Sequence, residues 1–327
     1  MKATRAVSAA RTTCAALARG DVLLIVLSLT ACPAPKPVAG FEGSYTVNVK
    51  SIPFEDGSEF SLYYPDEAPG GERYPLVIFS GGWNLARVSY DDTARQLAQW
   101  GYVVIIRFYP TIGIWSIGPV MTDTHIAQIG RIIDWCAEHG EREGSDLYHK
   151  VDATRVGLMG HSFGGEVTLA AAAADRVNGF GIDAVVSLDT TLGDADAGYG
   201  EMGDPGQIDA PVMYIVASEG GYCSGHLSYL EPLYDYTRPP TIEVTINGAG
   251  HMDFIERIVD PGVFGYILCP AGSRDPAEVR AIAKRYCIPW FNVFLKGEDE
   301  YRAYFNGAPA EQDERDGLVT IRRNLGD

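Results

Sequence analysis

Metal-binding motifs are absent from this 327-residue sequence. It has no HExxH, no CxxC pair and no regular Asp/Asn loop around a central glycine, so we expect neither a metal site nor a cofactor. Internal repeats and long runs of one charge are also missing, and only one apolar stretch, near the N-terminus, stands out from the rest. These absences exclude a repeat array and favour one large globular domain.

Basic residues are scarce in this chain. It has 26 Lys and Arg against 43 Asp and Glu, which gives a formal net charge of -17. Such a surface repels phosphate backbones and anionic lipid headgroups. The composition therefore excludes a nucleic-acid-binding protein and a basic membrane-docking patch, and we expect any membrane attachment to come from a lipid anchor.

The N-terminal residues 1–31 differ in composition from the rest of the chain. Basic residues precede an apolar run at 22–29, which is too short to span a bilayer and predicts a signal peptide. The run ends in Leu29-Thr30-Ala31-Cys32, which is similar to a bacterial lipobox. We expect Cys32 to become a lipidated N-terminus in the cell envelope of an exported protein, with residues 32–40 as a proline-rich tether. The alternative is an ordinary secretory signal with a chance cysteine.

Cysteine is also sparse, with six residues in the chain. Export makes disulfides chemically permissible, although their pairing does not follow from sequence alone. Cys269 and Cys287 flank a short helical segment, and closing a loop of that size contributes about 3 kcal/mol, so we expect them to pair. Cys136 falls on the apolar face of a predicted helix, and we expect it to be a free core thiol.

The order of predicted strands and helices indicates the fold. Two strand-like stretches, 45–50 and 59–64, are separated by the turn signal Asp56-Gly57 and predict an antiparallel start. Apolar strands and helical stretches then alternate. The strands are predicted at 76–79, 103–106, 155–159, 184–188, 212–217 and 242–246, and the helices near 90–100, 124–139, 165–174 and 277–286. This plan predicts an α/β-hydrolase fold over residues 41–327, a mostly parallel sheet with helices on both faces.

Ser162 lies between an apolar strand and a helix of small residues, in the sequence Gly160-His161-Ser162-Phe163-Gly164. A nucleophile elbow needs this setting, because its turn is so tight that the residues two before and two after the serine must be small. Gly160 and Gly164 meet that demand. The five letters alone occur often by chance, so the strand-to-helix setting carries the prediction that Ser162 is a nucleophile. We expect His161 to pack beside the turn.

A serine nucleophile needs a general base, which follows it in the chain order of this fold. His226 and His251 are the histidines after Ser162. His251 follows the last parallel strand on a glycine-rich loop, so we expect it to be the base and His226 to lie at a pocket rim or on the surface. Two carboxylates at strand ends, Asp189 and Glu219, are candidates for the acid.

Two backbone N–H groups are needed to bind the oxyanion that forms when a serine attacks a carbonyl carbon. One comes from the residue after the nucleophile and the other from the loop after the first parallel strand. In this sequence they are the amides of Phe163 and Trp83. The start of the following helix adds positive potential at the same place.

Several of these segments together resemble a known family. They are Phe79-Ser80, 160–165, Ser187-Leu188-Asp189, 211–219 and Gly250-His251, and they are similar to the platelet-activating-factor acetylhydrolase group. In that group the acid follows the strand after the elbow, which implies Asp189. Related dienelactone and polyester hydrolases place it one strand later, where this chain has Glu219. The chain departs from the family at Gly81, where the relatives usually carry a histidine before the second glycine.

The resemblance implies a serine hydrolase that cleaves carboxylic esters through Ser162, His251 and Asp189. It suggests a monomer acting on a small-molecule or lipid ester, as an acetylhydrolase or phospholipase A2 does. A polyester or dienelactone-type hydrolase is the alternative. A lipid-anchored binding protein that kept the fold and lost turnover is a third reading.

Overall fold

The computed structural model describes residues 41–326 except 55–56, 68–70, 72, 83–84, 108–118, 191–203, 222–229, 257–268 and 270. The predicted signal peptide, the tether and Cys32 lie outside the described residues, and so do Trp83 and His226. Within the described part of the chain, no helix is both long and apolar enough to cross a membrane.

Nine strands of the described chain form one sheet in the order β1-β2-β4-β3-β5-β6-β7-β8-β9. The strands from β3 to β8 pair in parallel, whereas β1, β2 and β9 pair antiparallel with their neighbours. Their bounds are β1 Val47–Pro53, β2 Glu59–Pro65, β3 Tyr74–Ser80, β4 Val103–Arg107, β5 Val151–His161, β6 Ile182–Leu188, β7 Val212–Ala217, β8 Thr241–Ile246 and β9 Val319–Asn324.

Helices cover both faces of this sheet. Their bounds are α1 Asp91–Gln99, α2 Pro119–Glu141, α3 Phe163–Asn178, α4 Leu230–Tyr236, α5 Pro276–Lys296, α6 Ala303–Asn306 and α7 Ala308–Arg315. Because alternate strand residues point to opposite faces, Val77 and Phe79 of β3 join one core with α1 and α5, while Leu76 and Ile78 join a second core with α2 and α3. Strands buried on both faces explain why they are continuous apolar runs in sequence.

The α/β-hydrolase fold predicted from the strand and helix pattern is confirmed. Each predicted strand overlaps an observed one, and the antiparallel start is present as β1 and β2. The helices α4, α6 and α7 were not predicted. Two further features also differ from the prediction. The last long helix continues past residue 286 to Lys296 through Pro289, and β9 closes the sheet against β8.

The predicted disulfide between Cys269 and Cys287 is wrong. Cys287 is a free, fully buried thiol on the core side of α5, where burial raises its pKa to about 12. Cys269 does form a disulfide, but not with Cys287. Sequence spacing alone could not show that the helix directs Cys287 into the core. The free core thiol predicted at Cys136 is confirmed, and burial raises its pKa as well.

Candidate active site

Ser162 sits at the sharp turn between β5 and α3. Its backbone has φ 57° and ψ -129°, a combination that an L-residue adopts only where the surrounding structure enforces it. The Ser162 N–H donates to Leu188 O at 3.1 Å, which ties the turn to the end of β6. The side chain remains partly exposed. The strained turn therefore presents the hydroxyl at the carboxyl edge of the sheet.

Glycines around the turn are required by space. A Cβ at Gly160 would lie 2.1 Å from Gly164 O, and one at Gly164 would lie 2.1 Å from Ser80 O. Real Cβ atoms essentially never lie within 3.0 Å of a heavy atom outside their own residue and its chain neighbours. Any side chain at either position would therefore push apart the turn and the strand beside it, which is the size limit that the sequence predicted.

The structure brings Ser162, His251 and Asp189 together. His251 Nε2 lies 3.0 Å from Ser162 Oγ, and His251 Nδ1 lies 2.6 Å from Asp189 Oδ2. The His251 side chain is 3% exposed and the Asp189 side chain is fully buried. An imidazole held in this way can accept the serine proton at Nε2 while its Nδ1–H donates to the carboxylate.

The Asp189 carboxylate is held on both of its oxygens. Oδ2 contacts His251, and Oδ1 accepts from the Ala217 N–H at 2.9 Å. The backbone at Asp189 has φ 38°, and its N–H donates to Ile215 O at 2.7 Å. These contacts come from β7, the neighbouring strand, and they aim the carboxylate at the imidazole.

Glu219, the alternative acid, makes different contacts. Its carboxylate accepts from the Ser273 N–H at 2.7 Å and from Ser273 Oγ at 2.8 Å. Its backbone N–H donates to Ala249 O at 2.8 Å. Glu219 therefore links the end of β7 to the segment before α5, and its carboxylate is engaged away from His251.

The backbone around His251 is fixed by an acidic residue that the sequence did not single out. Asp253 is buried and accepts from the Gly250 N–H at 2.7 Å and the Gly272 N–H at 3.0 Å. Arg280 of α5 donates to the carbonyls of Asp253 and Ile255. The only signal in sequence is an aspartate two residues after the candidate base, which is not a motif.

Of the two predicted oxyanion donors, Phe163 is described and Trp83 lies outside the described residues. Phe163 is buried and is the first residue of α3, where backbone amides have no carbonyl acceptor within the helix. In the facing loop, the Gly81 N–H donates to Arg107 O at 3.0 Å and the Gly82 N–H donates to Tyr90 Oη at 2.9 Å. The two residues before Trp83 are thus each held by a hydrogen bond to a different segment.

A buried arginine at the end of β4 is a second feature that sequence reasoning missed. Arg107 is 2% exposed, and its guanidinium donates to Gln128 Oε1, Ser80 Oγ and His125 Nδ1. The His125 ring in turn packs edge-on against Phe163 at 6.1 Å between centroids. Arg107 thereby supports both the end of β3 and the first residue of α3. An arginine ending an apolar strand was the available signal.

No cluster of three or more His, Cys, Asp or Glu suited to a metal ion occurs among the residues that the structure describes.

A strained serine, a histidine and a carboxylate at the carboxyl edge of a mostly parallel sheet define an α/β hydrolase. A family model described as PET hydrolase-like matches residues 30–254, and the chain belongs to that family.

Three relatives agree with this assignment. Bis(hydroxyethyl) terephthalate hydrolase from Streptomyces coelicolor is 21% identical over 85% of this chain and 76% of its own length. Chlorophyllase-1 from Arabidopsis thaliana is 22% identical over 69% of this chain and 73% of its own. Platelet-activating factor acetylhydrolase from Canis lupus familiaris is 24% identical over 63% of this chain and 53% of its own, so the match spans about half of that protein. The resemblance to polyester hydrolases and acetylhydrolases is confirmed, and the chain is a carboxylic ester hydrolase.

Proposed function

We propose that Ser162, His251 and Asp189 form a catalytic triad that hydrolyses carboxylic esters through an acyl-enzyme. The contacts of His251 with both partners, 3.0 Å to Ser162 Oγ and 2.6 Å to Asp189 Oδ2, carry this proposal. Ser162 Oγ attacks the ester carbonyl while His251 Nε2 takes its proton, and the same proton then passes to the leaving alkoxide. Water, deprotonated by His251, attacks the acyl-enzyme and releases the acid and the free serine.

The Phe163 and Trp83 amides are the proposed oxyanion donors in this reaction. Phe163 opens α3, so its N–H lies where the helix dipole favours negative charge. The Gly82 N–H donates to Tyr90 Oη and is already engaged. The amide of the next residue in the loop is therefore the proposed second donor.

Aromatic esters are the substrate class that the family match favours. The PET hydrolase-like model spans most of the described sheet. Of the three relatives above, the one whose match spans the largest share of this chain is named for bis(hydroxyethyl) terephthalate. A short-acyl phospholipid is the second candidate. It is favoured by the position of Asp189 at the end of the strand that follows the elbow, the place that the acetylhydrolase group uses for its acid.

The experiment that tests the triad is labelling with a fluorophosphonate probe together with p-nitrophenyl butyrate hydrolysis. We expect the wild-type protein to be labelled, and Ser162→Ala to lose labelling and roughly 10⁴- to 10⁶-fold in rate. Ser145→Ala, which removes a loop serine that accepts from the Leu147 N–H, should leave both unchanged. An unlabelled wild-type protein, or full activity in Ser162→Ala, would favour a binding protein instead.

Substrate choice is tested by comparing kcat/KM across three sets of esters. These are p-nitrophenyl esters of increasing acyl length, bis(hydroxyethyl) terephthalate, and a phosphatidylcholine with a short sn-2 acyl chain. We expect the terephthalate ester to be the best substrate. A higher kcat/KM for the phospholipid would instead support the acetylhydrolase-like activity.

Lipid anchoring at Cys32 is also proposed, on the basis of the lipobox-like sequence before it. Expression of the full chain in a bacterial host followed by detergent phase partition tests it. We expect the wild-type protein in the detergent phase and Cys32→Ser in the aqueous phase. Equal partition of the two proteins would instead indicate an ordinary secretory signal.

A further inference from the structure

A chain of buried hydrogen bonds joins three loops at the edge of the site. The Gly82 N–H donates to Tyr90 Oη at 2.9 Å, and Tyr90 Oη lies 2.8 Å from His161 Nδ1. On its other side, His161 Nε2 lies 3.0 Å from the carbonyl oxygen of His251. This relay, from Gly82 through Tyr90 and His161 to His251, connects the predicted oxyanion loop, the elbow and the loop of the candidate base.

The direction of each hydrogen bond follows from chemistry. A carbonyl oxygen can only accept, so His161 Nε2 carries a proton and donates to His251 O. Complete burial, together with the neighbouring His251, lowers the pKa of His161 to about 3, so the ring is neutral and its Nδ1 accepts. Tyr90 Oη therefore donates to Nδ1 and uses an oxygen lone pair to accept from the Gly82 N–H.

Tyr90 occupies the space that a side chain at position 81 would need. Its ring is 1% exposed and packs against Phe79 at 4.6 Å between centroids. A Cβ at Gly81 would lie 3.2 Å from Tyr90 Cε2, which is closer than nine in ten real Cβ contacts. The glycine at position 81 is thus matched by a tyrosine that reaches in from another segment.

The loop of His251 also holds the segment that carries Tyr90. The Glu256 N–H donates to Ser89 O at 2.8 Å. The Glu256 carboxylate accepts from the Asp92 N–H at 2.5 Å and the Thr93 N–H at 2.8 Å, at the start of α1. The loop that carries His251 therefore holds Tyr90 in two ways. The Tyr90 hydroxyl is joined to His251 O through His161, and Glu256 holds the residues on both sides of Tyr90.

We propose that Tyr90 and His161 are positioning residues for the ester hydrolysis. They hold the oxyanion loop and the backbone of His251 at fixed positions relative to each other. This inference rests on the proposed triad. Neither side chain touches the reacting atoms in this mechanism. Donors that stabilise an oxyanion act only when they are fixed before charge develops, so loosening them lowers kcat more than it raises KM.

The first test compares Tyr90→Phe with Tyr102→Phe. Tyr102 is a matched control, because it is fully buried and its hydroxyl donates to Asn292 Oδ1 at 2.6 Å. For Tyr90→Phe we expect kcat on p-nitrophenyl butyrate to fall roughly 10- to 100-fold with KM within about twofold. The inhibition constant of butylboronic acid, whose tetrahedral adduct places an oxygen at the oxyanion site, should rise by a similar factor. Tyr102→Phe should lower Tm comparably and keep kcat.

The second test is a double-variant cycle with His161→Phe, which keeps an aromatic ring and removes both polar contacts. If the two side chains act through one relay, the double variant loses about as much kcat as the worse single variant. His161→Phe, measured with the same substrate and boronic acid, also decides the question should Tyr90→Phe fail to fold.

Three results would overturn the inference while leaving the triad intact. They are an unchanged kcat in Tyr90→Phe, an equal loss in Tyr102→Phe, and losses that multiply in the double variant. Failure of the proposed function is separate, since it is seen as a wild-type protein that the fluorophosphonate does not label or as an active Ser162→Ala.

Discussion

Two buried imidazoles lie side by side at this site, with His161 and His251 ring centroids 4.8 Å apart. Burial disfavours a charge on the His161 ring, and a charge on the neighbouring His251 ring disfavours it further. In the proposed mechanism the proton from Ser162 therefore stays on His251, where Asp189 Oδ2 lies 2.6 Å from Nδ1. The neutral ring of His161 serves as a hydrogen-bonded spacer.

Asp189→Asn and Glu219→Gln distinguish the two candidate acids. We expect Asp189→Asn to lower kcat roughly 10⁴-fold, because an amide at this position favours the wrong tautomer of His251. Glu219→Gln should stay within a few-fold of wild type, because Glu219 contacts Ser273. Steady-state kinetics on p-nitrophenyl butyrate measures both. A larger loss in Glu219→Gln would move the acid to the end of β7.

His161 makes folding stability depend on pH. Its pKa is lowered to about 3 in the folded protein, against about 6.5 in an unfolded chain. The folded state therefore binds fewer protons than the unfolded chain as the pH falls. The contribution of the neutral His161 to folding stability is fully present above pH 6.5 and is lost as the pH falls towards 3. We expect it to cost up to about 2 kcal/mol of unfolding free energy between pH 7 and pH 5.

Urea unfolding of the wild type and of His161→Phe at both pH values measures this contribution. The variant lacks the imidazole and should lose less stability on acidification. Equal losses in the two proteins would show that His161 does not titrate as described.

Loops at the carboxyl ends of the strands form the site at the level of secondary structure. β5 leads to Ser162, β6 to Asp189 and β8 to His251, and these strands lie in the parallel part of one sheet. Parallel strands bring their carboxyl ends to one edge, which is why residues far apart in sequence meet there. Helix capping then joins the loops, since Glu256 of the loop after β8 caps the start of α1.

Glu256→Ala tests this connection against a second cap, Asp275→Ala. Asp275 accepts from the Ala277 and Glu278 N–H groups at the start of α5. Each substitution should cost about 1 kcal/mol of stability, because each leaves helix N–H groups without an acceptor. We expect kcat to fall several-fold only in Glu256→Ala, since that carboxylate fixes the segment of Tyr90.

Chemical denaturation and steady-state kinetics on both cap variants give the two readouts. Equal kcat values in the two variants would mean that the Glu256 cap stabilises α1 without affecting the site.

At the scale of the whole molecule, the main feature besides the sheet and its two hydrophobic cores is a strong excess of acidic residues. The formal net charge is -17. Charge of one sign creates a field that extends beyond single contacts and is screened over about 8 Å at physiological salt. An anionic ester is therefore repelled as it approaches, whereas a neutral ester is not.

This repulsion predicts a salt effect that depends on substrate charge. Raising the ionic strength from 10 to 200 mM should increase kcat/KM for p-nitrophenyl hemisuccinate about threefold or more. The neutral p-nitrophenyl butyrate is the control and should change little. The same salt dependence for both esters would show that the electric field of the net charge does not affect substrate approach to the site.

Much of the architecture was predictable from the sequence, because the strands are apolar runs buried on both faces and the helices carry amphipathic patterns. β9 escaped prediction because Val319–Asn324 is an edge strand with an exposed, charged end. The prediction that Cys269 pairs with Cys287 was wrong for a related reason. Only the packing of α5 decides that the Cys287 sulfur lies on the buried face of that helix.

At the site, the sequence by itself determined the elbow. Gly160, Ser162 and Gly164 follow from a local demand, since a tight strand-to-helix turn excludes larger side chains. The assignment of His251 as the general base followed from the order in which this fold places nucleophile and base along the chain. Tertiary structure alone decided what depends on contacts between distant segments, namely that Asp189 faces His251 while Glu219 faces Ser273, and that Tyr90 fills the space beside Gly81. Local sterics can be inferred from neighbouring letters, but the direction of a side chain across the sheet edge depends on packing from several elements at once.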